Sequence, residues 1–291
     1  MHLLLPLLSS ILYTLAALSL KQAATRGVGV FRTTFISNWT TALLFLSLWP
    51  LGGTIPDSKL LWQPAIVATL FVFGQVSTFL AFQHGDVSVT TPVMGVKVIL
   101  VAWLSTTLLG QPVSPQLWAA AGLSCAGVTV INRGTTPGKS RPHLGRAIGF
   151  AFQAATSYAL FDILVMKWAP AWGPGRFLPI MALMSAGCSF LFIPFFRQPL
   201  RQIEKNAWRP LLTGALLMGL QAIVLITTLA VFKDGTAINI VYSARGLWSV
   251  LAVVYIGGWF ENQEKNLGRS VLRWRLFGAL LLSAAIILVF V

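Results

Sequence analysis

Apolar runs of about twenty residues recur from one end of this 291-residue chain to the other, each long enough to cross a bilayer of about 30 Å. Charged residues make up 10% of the chain, where a soluble domain carries about 25%. A soluble globular fold is thereby excluded. Reading the runs between polar breaks predicts ten helical spans, at 3–21, 33–50, 62–84, 87–109, 116–132, 146–168, 175–196, 209–232, 236–257 and 273–291. The first run has the length of a signal peptide but no basic n-region, and it has a counterpart later in the chain, so it reads as a span. Cys125 and Cys188 fall inside apolar runs with no partner motif and read as small core residues. The sequon "NWT" at 38–40 also falls inside a span and carries no functional reading.

The net charge of +14 would suggest nucleic acid on a soluble protein. Here most basic residues sit in short loops, where they act as orientation signals and lipid phosphate contacts. Fifteen of the 21 Lys and Arg lie in or directly flank the loops joining spans 1–2, 5–6, 7–8 and 9–10, with Lys59, Lys167, Arg176 and Lys233 on the other side.

The longest basic break, "RGTTPGKSRPHLGR" at 133–146, divides the chain into halves of five spans. The halves echo each other in order. "WQP" at 62–64 matches "WRP" at 208–210, Gln75 matches Gln221, and Tyr13 matches Tyr158. "FQHGD" at 82–86 lines up with "FKDGT" at 232–236, and Lys97 falls opposite Arg245. An odd number of spans per half forces the two copies into opposite orientations, the inverted-repeat plan of many secondary transporters, whose sites lie near mid-membrane between the repeats. The expected fold is therefore all-α and integral to the membrane: ten transmembrane helices as two inverted five-helix repeats, 1–132 and 147–291, joined by a basic loop at 133–146.

The five-plus-five plan, the segment "LLGQPVSPQLWAAAGLSCAGVTVIN" (108–132) and the closing "RLFGALLLSAAIILVF" (275–290) resemble the drug/metabolite transporter superfamily in its EamA-like branch. The resemblance covers nearly the whole chain. It departs at Gln111, where the family commonly has Glu. It implies a secondary transporter without cofactor, and termini in the cytoplasm of a bacterium whose inner membrane holds it. The positive-inside rule applied to this chain points the termini the other way; parity keeps both on one side.

With the loops set aside, Lys97 and Arg245 remain near the centres of spans 4 and 9. At 1.5 Å per residue each lies roughly 15 Å from either interface, too deep for easy snorkelling. A central Lys or Arg costs about 2.5–3.5 kcal/mol to insert, so a compensating partner is required. Asp162 is the one acid clearly within a span, and a single acid does not neutralise two bases. An anionic ligand in a water-filled cavity supplies the remainder. Tyr242, Asn239 and Ser249 recur at helical spacing around Arg245, and Gln75 and Gln221 occupy corresponding places in spans 3 and 8. These form the expected substrate site, with Asp162 as proton-coupling group or as the partner of Arg245 when the site is empty. In the resemblance, the sugar-phosphate translocators of the superfamily likewise hold an anionic substrate with basic residues on helices 4 and 9, which implies an anion here.

No HExxH, CxxC, Walker A or GxSxG motif occurs, and neither an enzyme nor a metal site is expected. "GRAIG" at 145–149 has the GxxxG form and reads as a packing contact. The partners expected are a small anionic or zwitterionic metabolite and membrane lipids, with a homodimer left open and no nucleic acid. The alternatives are export of amphipathic or lipid-linked solutes, and a receptor or assembly protein whose intramembrane charges are structural.

Overall fold

The computed structural model describes residues 2–55, 57–84, 87–131, 144–248, 251 and 269–290. Among them the chain is helical, with no strand. The helices are α1 (Leu4–Thr25), α2 (Val30–Phe45), α3 (Trp62–His84), α4 (Val87–Gly95), α5 (Lys97–Leu108), α6 (Pro115–Ile131), α7 (Leu144–Trp172), α8 (Pro174–Cys188), α9 (Lys205–Phe232), α10 (Gly235–Tyr242) and α11 (Arg269–Phe290). Seven helical stretches among the described residues are long and apolar enough to cross a membrane: Leu4–Thr25, Ser58–His84, Thr90–Leu108, Leu144–Trp172, Pro174–Phe195, Lys205–Phe232 and Arg273–Phe290. The expected spans 2, 5 and 9 are shorter. Span 2 is the 16-residue α2 followed by a 3₁₀ turn, Leu46–Leu51, that contains Pro50. Span 5 is the 17-residue α6.

Spans 4 and 9 differ most from expectation, because neither runs unbroken. In span 4 the ladder slips at Val96, whose N–H bonds Val93 O (3.2 Å) in place of the carbonyl four residues back. Pro92 has already removed one rung in this turn, and Gly95 weakens it further. α5 resumes at Lys97. In span 9, α10 stops at Tyr242, and a helical turn restarts at Arg245. The cause is local: the Ser243 hydroxyl donates to Ile240 O (2.5 Å), so the Ala244 N–H turns to Val241 O (3.0 Å). Back-bonding of this kind bends helices. The sequence-predicted continuation of span 9 to 257 lies mostly outside the described residues, as does most of the 133–146 loop.

The chain divides into two compact units, each assembled from both halves of the sequence. Of the described residues, those within 1–69 and 165–233 form unit 1, and those within 70–164, 234–254 and 264–291 form unit 2. In unit 1, α1 packs along α9, and α2 packs against α8 and α9. Close approach requires glycine: a Cβ at Gly214 would meet Leu20 Cδ2 at 2.6 Å, and one at Gly219 would meet Leu44 Cδ1 at 2.5 Å. Arg32, counted above among the loop charges, is instead buried in the first turn of α2. Its guanidinium donates to Val28 O and Gly27 O, both at 2.7 Å.

In unit 2, α6 packs along α11, and α10 packs against α5. The first of these contacts closes on two glycines, because a Cβ at Gly278 would lie 2.7 Å from Gly127 O. Small residues of this kind let membrane helices approach backbone to backbone. The unit 2 part of α3 meets α7, with the Tyr158 ring seated where a Gly74 side chain would be and Phe71 against Phe161.

Candidate functional site

The two central cations both sit where a helix restarts, Lys97 as the first residue of α5 and Arg245 as the first of the turn after α10. The interruptions therefore fall at the depth where sequence placed the charges. Both cations lie in unit 2.

Lys97 Nζ lies 2.8 Å from Asp162 Oδ2, with side chains 17% and 3% exposed. Asp162 projects from α7 at the level where Phe161 packs on Phe71. The same carboxylate oxygen accepts a hydrogen bond from Asn239 Nδ2 at 2.8 Å, and that amide nitrogen also donates to Gly235 O, one turn back in α10 (2.9 Å). Three helices, α5, α7 and α10, thus meet at one buried oxygen. Isolated charge in a low-dielectric interior is strongly unfavourable, and a close, hydrogen-bonded counter-ion is what makes it tolerable. Among the described residues Asp162 is the partner of Lys97, and two of the three ammonium N–H groups have none. Lys97 is neutralised without being saturated.

Arg245 is held differently. Its Cζ stands 4.8 Å from the centroid of the Tyr242 ring, one turn back, and Tyr242 is buried. A guanidinium over an aromatic face gains cation–π attraction while keeping its hydrogen-bonding edge for another group. Just before it, Ser243 accepts from Ser124 Oγ of α6 (2.8 Å), which ties the interrupted segment to its neighbour.

The structure therefore brings Lys97, Asp162 and Asn239 into one contact, and Arg245 and Tyr242 into another. Asp162 faces Lys97; the sequence-based alternative, in which it holds Arg245, is not the arrangement seen. Gln221 belongs to unit 1, where Ser9 Oγ donates to its Oε1 (3.1 Å) and its backbone carbonyl (2.9 Å). Gln75 is half-buried in α3 within unit 2. Ser249 lies outside the described residues. Sequence reasoning missed Ser124 and Ser243 and the two helix interruptions. Pro92 and Gly95 were the available signal for the first. The second depends on a serine rotamer that has no sequence signature. Among the described residues no group of His, Cys, Asp and Glu is arranged to hold a metal ion.

Residues 1–133 match the model of the EamA-like transporter family. That first part of the chain is thus similar to a family of transporters within the drug/metabolite transporter superfamily. Over nearly the whole chain the fold is supported by a solved structure described only as "Crystal structure of protein". It superposes with a TM-score of 0.76 at 17% identity, covering 99% of this chain and 95% of that one. No curated protein matches the sequence.

Proposed function

We propose that this protein is a secondary transporter of a small anionic or zwitterionic metabolite, working by alternating access between two inverted five-helix repeats. The observation that carries the reading is the state of Lys97. It is an ammonium near mid-span, partly exposed, with one carboxylate partner among the described residues and two N–H groups that none of them fills. In this reading Lys97 and Arg245 attract the carboxylate or phosphate of the substrate, with Tyr242 and Gln75 as orienting groups.

The pattern of helix pairs supports the repeat. Exchange of the two halves turns the α1–α9 pair into α7–α3 and maps α2–α8 and α6–α11 onto themselves. Each of these pairs is in contact.

The test is a thermal-shift screen of the purified, full-length protein against organic anions, amino acids and phosphorylated metabolites. Ligands of the native state raise its melting temperature by mass action. Anions are expected to stabilise the wild type and not Lys97→Gln. Stabilisation by cations or lipids alone would sink the reading and favour the export of amphipathic solutes. One observation supports a structural role for the charges: Asn239 completes a local network around Asp162. If Lys97→Gln combined with Asp162→Asn leaves an active transporter, the charges are structural.

A further inference from the structure

We propose that Asp162 is an internal stand-in for the transported anion: the anion displaces it from Lys97, and Asp162 takes up a proton in the same step. Asn239 is the positioning residue that keeps it in place. The inference rests on the anion-site reading above and adds to it the nature of the coupling.

Three observations carry it. First, Lys97 meets a carboxylate at 2.8 Å while retaining unused N–H groups, so an incoming carboxylate or phosphate finds the same chemistry that Asp162 already satisfies. Second, Asn239 has no N–H left for a substrate. Its Nδ2 gives one proton to Asp162 Oδ2 and the other to Gly235 O. It contacts the acid and not the ligand, which fixes Asp162 when Lys97 turns away. Third, Asp162 is buried, and once Lys97 is taken its remaining partner among the described residues is a single neutral amide. A carboxylate in such a place is neutralised by protonation, because an unpaired buried charge is far more unfavourable than a buried acid.

The charge balance closes. With the site empty, the Lys97 ammonium and the Asp162 carboxylate sum to zero. With a monoanion bound, the ammonium pairs with the anion, Asp162 is a neutral acid, and the sum is again zero. One proton from solution thus accompanies each singly charged anion, and no other bond forms or breaks. Lys97 from α5 and Asn239 from α10 contact Asp162; on its own helix, Phe161 and Tyr158 pack against Phe71 and Gly74 of α3, and Tyr242 and Arg245 follow Asn239 along its segment. Among these, Lys97 is the charged group in contact with the carboxylate.

The experiment uses the purified full-length protein with sodium methanesulfonate and sodium acetate as probes, since neither anion titrates near neutrality. Anion affinity is read by thermal shift across a pH series, and proton uptake by an indicator dye in weakly buffered solution. The wild type is expected to take up about one proton per anion bound, and its affinity to weaken by about tenfold per pH unit on the alkaline side. Asp162→Asn is expected to bind the anion with no proton uptake and no pH dependence. Asn239→Leu is expected to keep the proton but move the pH profile to the alkaline side, a change that a packing role would not produce. Wild-type binding without proton uptake overturns the proposal and leaves the anion site standing. Proton uptake that persists in Asp162→Asn also overturns it. If neither probe stabilises the wild type while the broader anion screen is also negative, the anion site falls and the coupling with it. The wild-type dye measurement needs no variant, so a poorly folding Asp162→Asn protein does not spare the proposal.

Discussion

The two units solve the same problem, a polar contact between buried helices, by different chemistry. In unit 1, Ser9 donates to Gln221, and a neutral hydroxyl and a neutral amide satisfy one another. In unit 2, Lys97, Asp162 and Asn239 do so with two formal charges. The neutral contact can be lost from either side with modest effect. The charged contact is asymmetric: losing one partner strands the other, and losing both strands nothing. That asymmetry is what a site needs if its occupant must be exchangeable, and it separates a contact that binds helices together from one poised to bind something else.

The comparison can be broken by substitution. Asp162→Ala is expected to have the largest effect, leaving Lys97 uncompensated and destabilising the protein by about 3–5 kcal/mol, measured as loss of folded protein in a detergent or urea titration. Lys97→Gln strands a carboxylate that a proton can neutralise, so its stability loss is expected to be smaller and to shrink in acidic buffer. The double variant Lys97→Gln, Asp162→Asn is expected to recover most of that stability while anion-dependent stabilisation stays abolished; a double variant no more stable than Asp162→Ala would show that the pair is not coupled. Arg245→Gln is expected to lower anion affinity by about tenfold or more, since it removes the cation held over the Tyr242 ring. Ser9→Ala sits at the bottom of the order, at about 0.6 kcal/mol, as typical interhelical hydrogen bonds in membranes are. A Ser9→Ala effect as large as that of Asp162→Ala would erase the distinction between the units.

Much of this was legible in the sequence because the bilayer imposes length. α3, α7 and α9 end within a few residues of, or somewhat beyond, the apolar runs at 62–84, 146–168 and 209–232. The depth of Lys97 and Arg245 follows from counting along those runs. The choice of partner does not, because Asp162 could have faced either cation until the packing of α7 against its neighbours was known. Asn239 shows the same limit. Its helical spacing puts it on the face of Tyr242, but its amide is committed to Asp162 and Gly235. The interruptions at Val96 and Ser243 escaped notice because Pro, Gly and Ser are ordinary residues of membrane helices, and only the hydrogen bonds tell which of them breaks the ladder.

Arg32 adds a consequence for how the chain is made. Two of its guanidinium nitrogens, Nε and Nη2, donate to carbonyls four and five residues upstream, so the α1–α2 hairpin carries local partners for its own cation as soon as it is synthesised. Lys97 has no such arrangement. Its carboxylate is 65 residues further on, in α7, and the amide that braces that carboxylate is another 77 beyond it. During biogenesis Lys97 must wait, inside the insertion machinery or near a water-lined surface, until α7 arrives. Truncated nascent chains should therefore hold α4 and α5 loosely in the bilayer when they end before Asp162, and firmly once α7 has emerged.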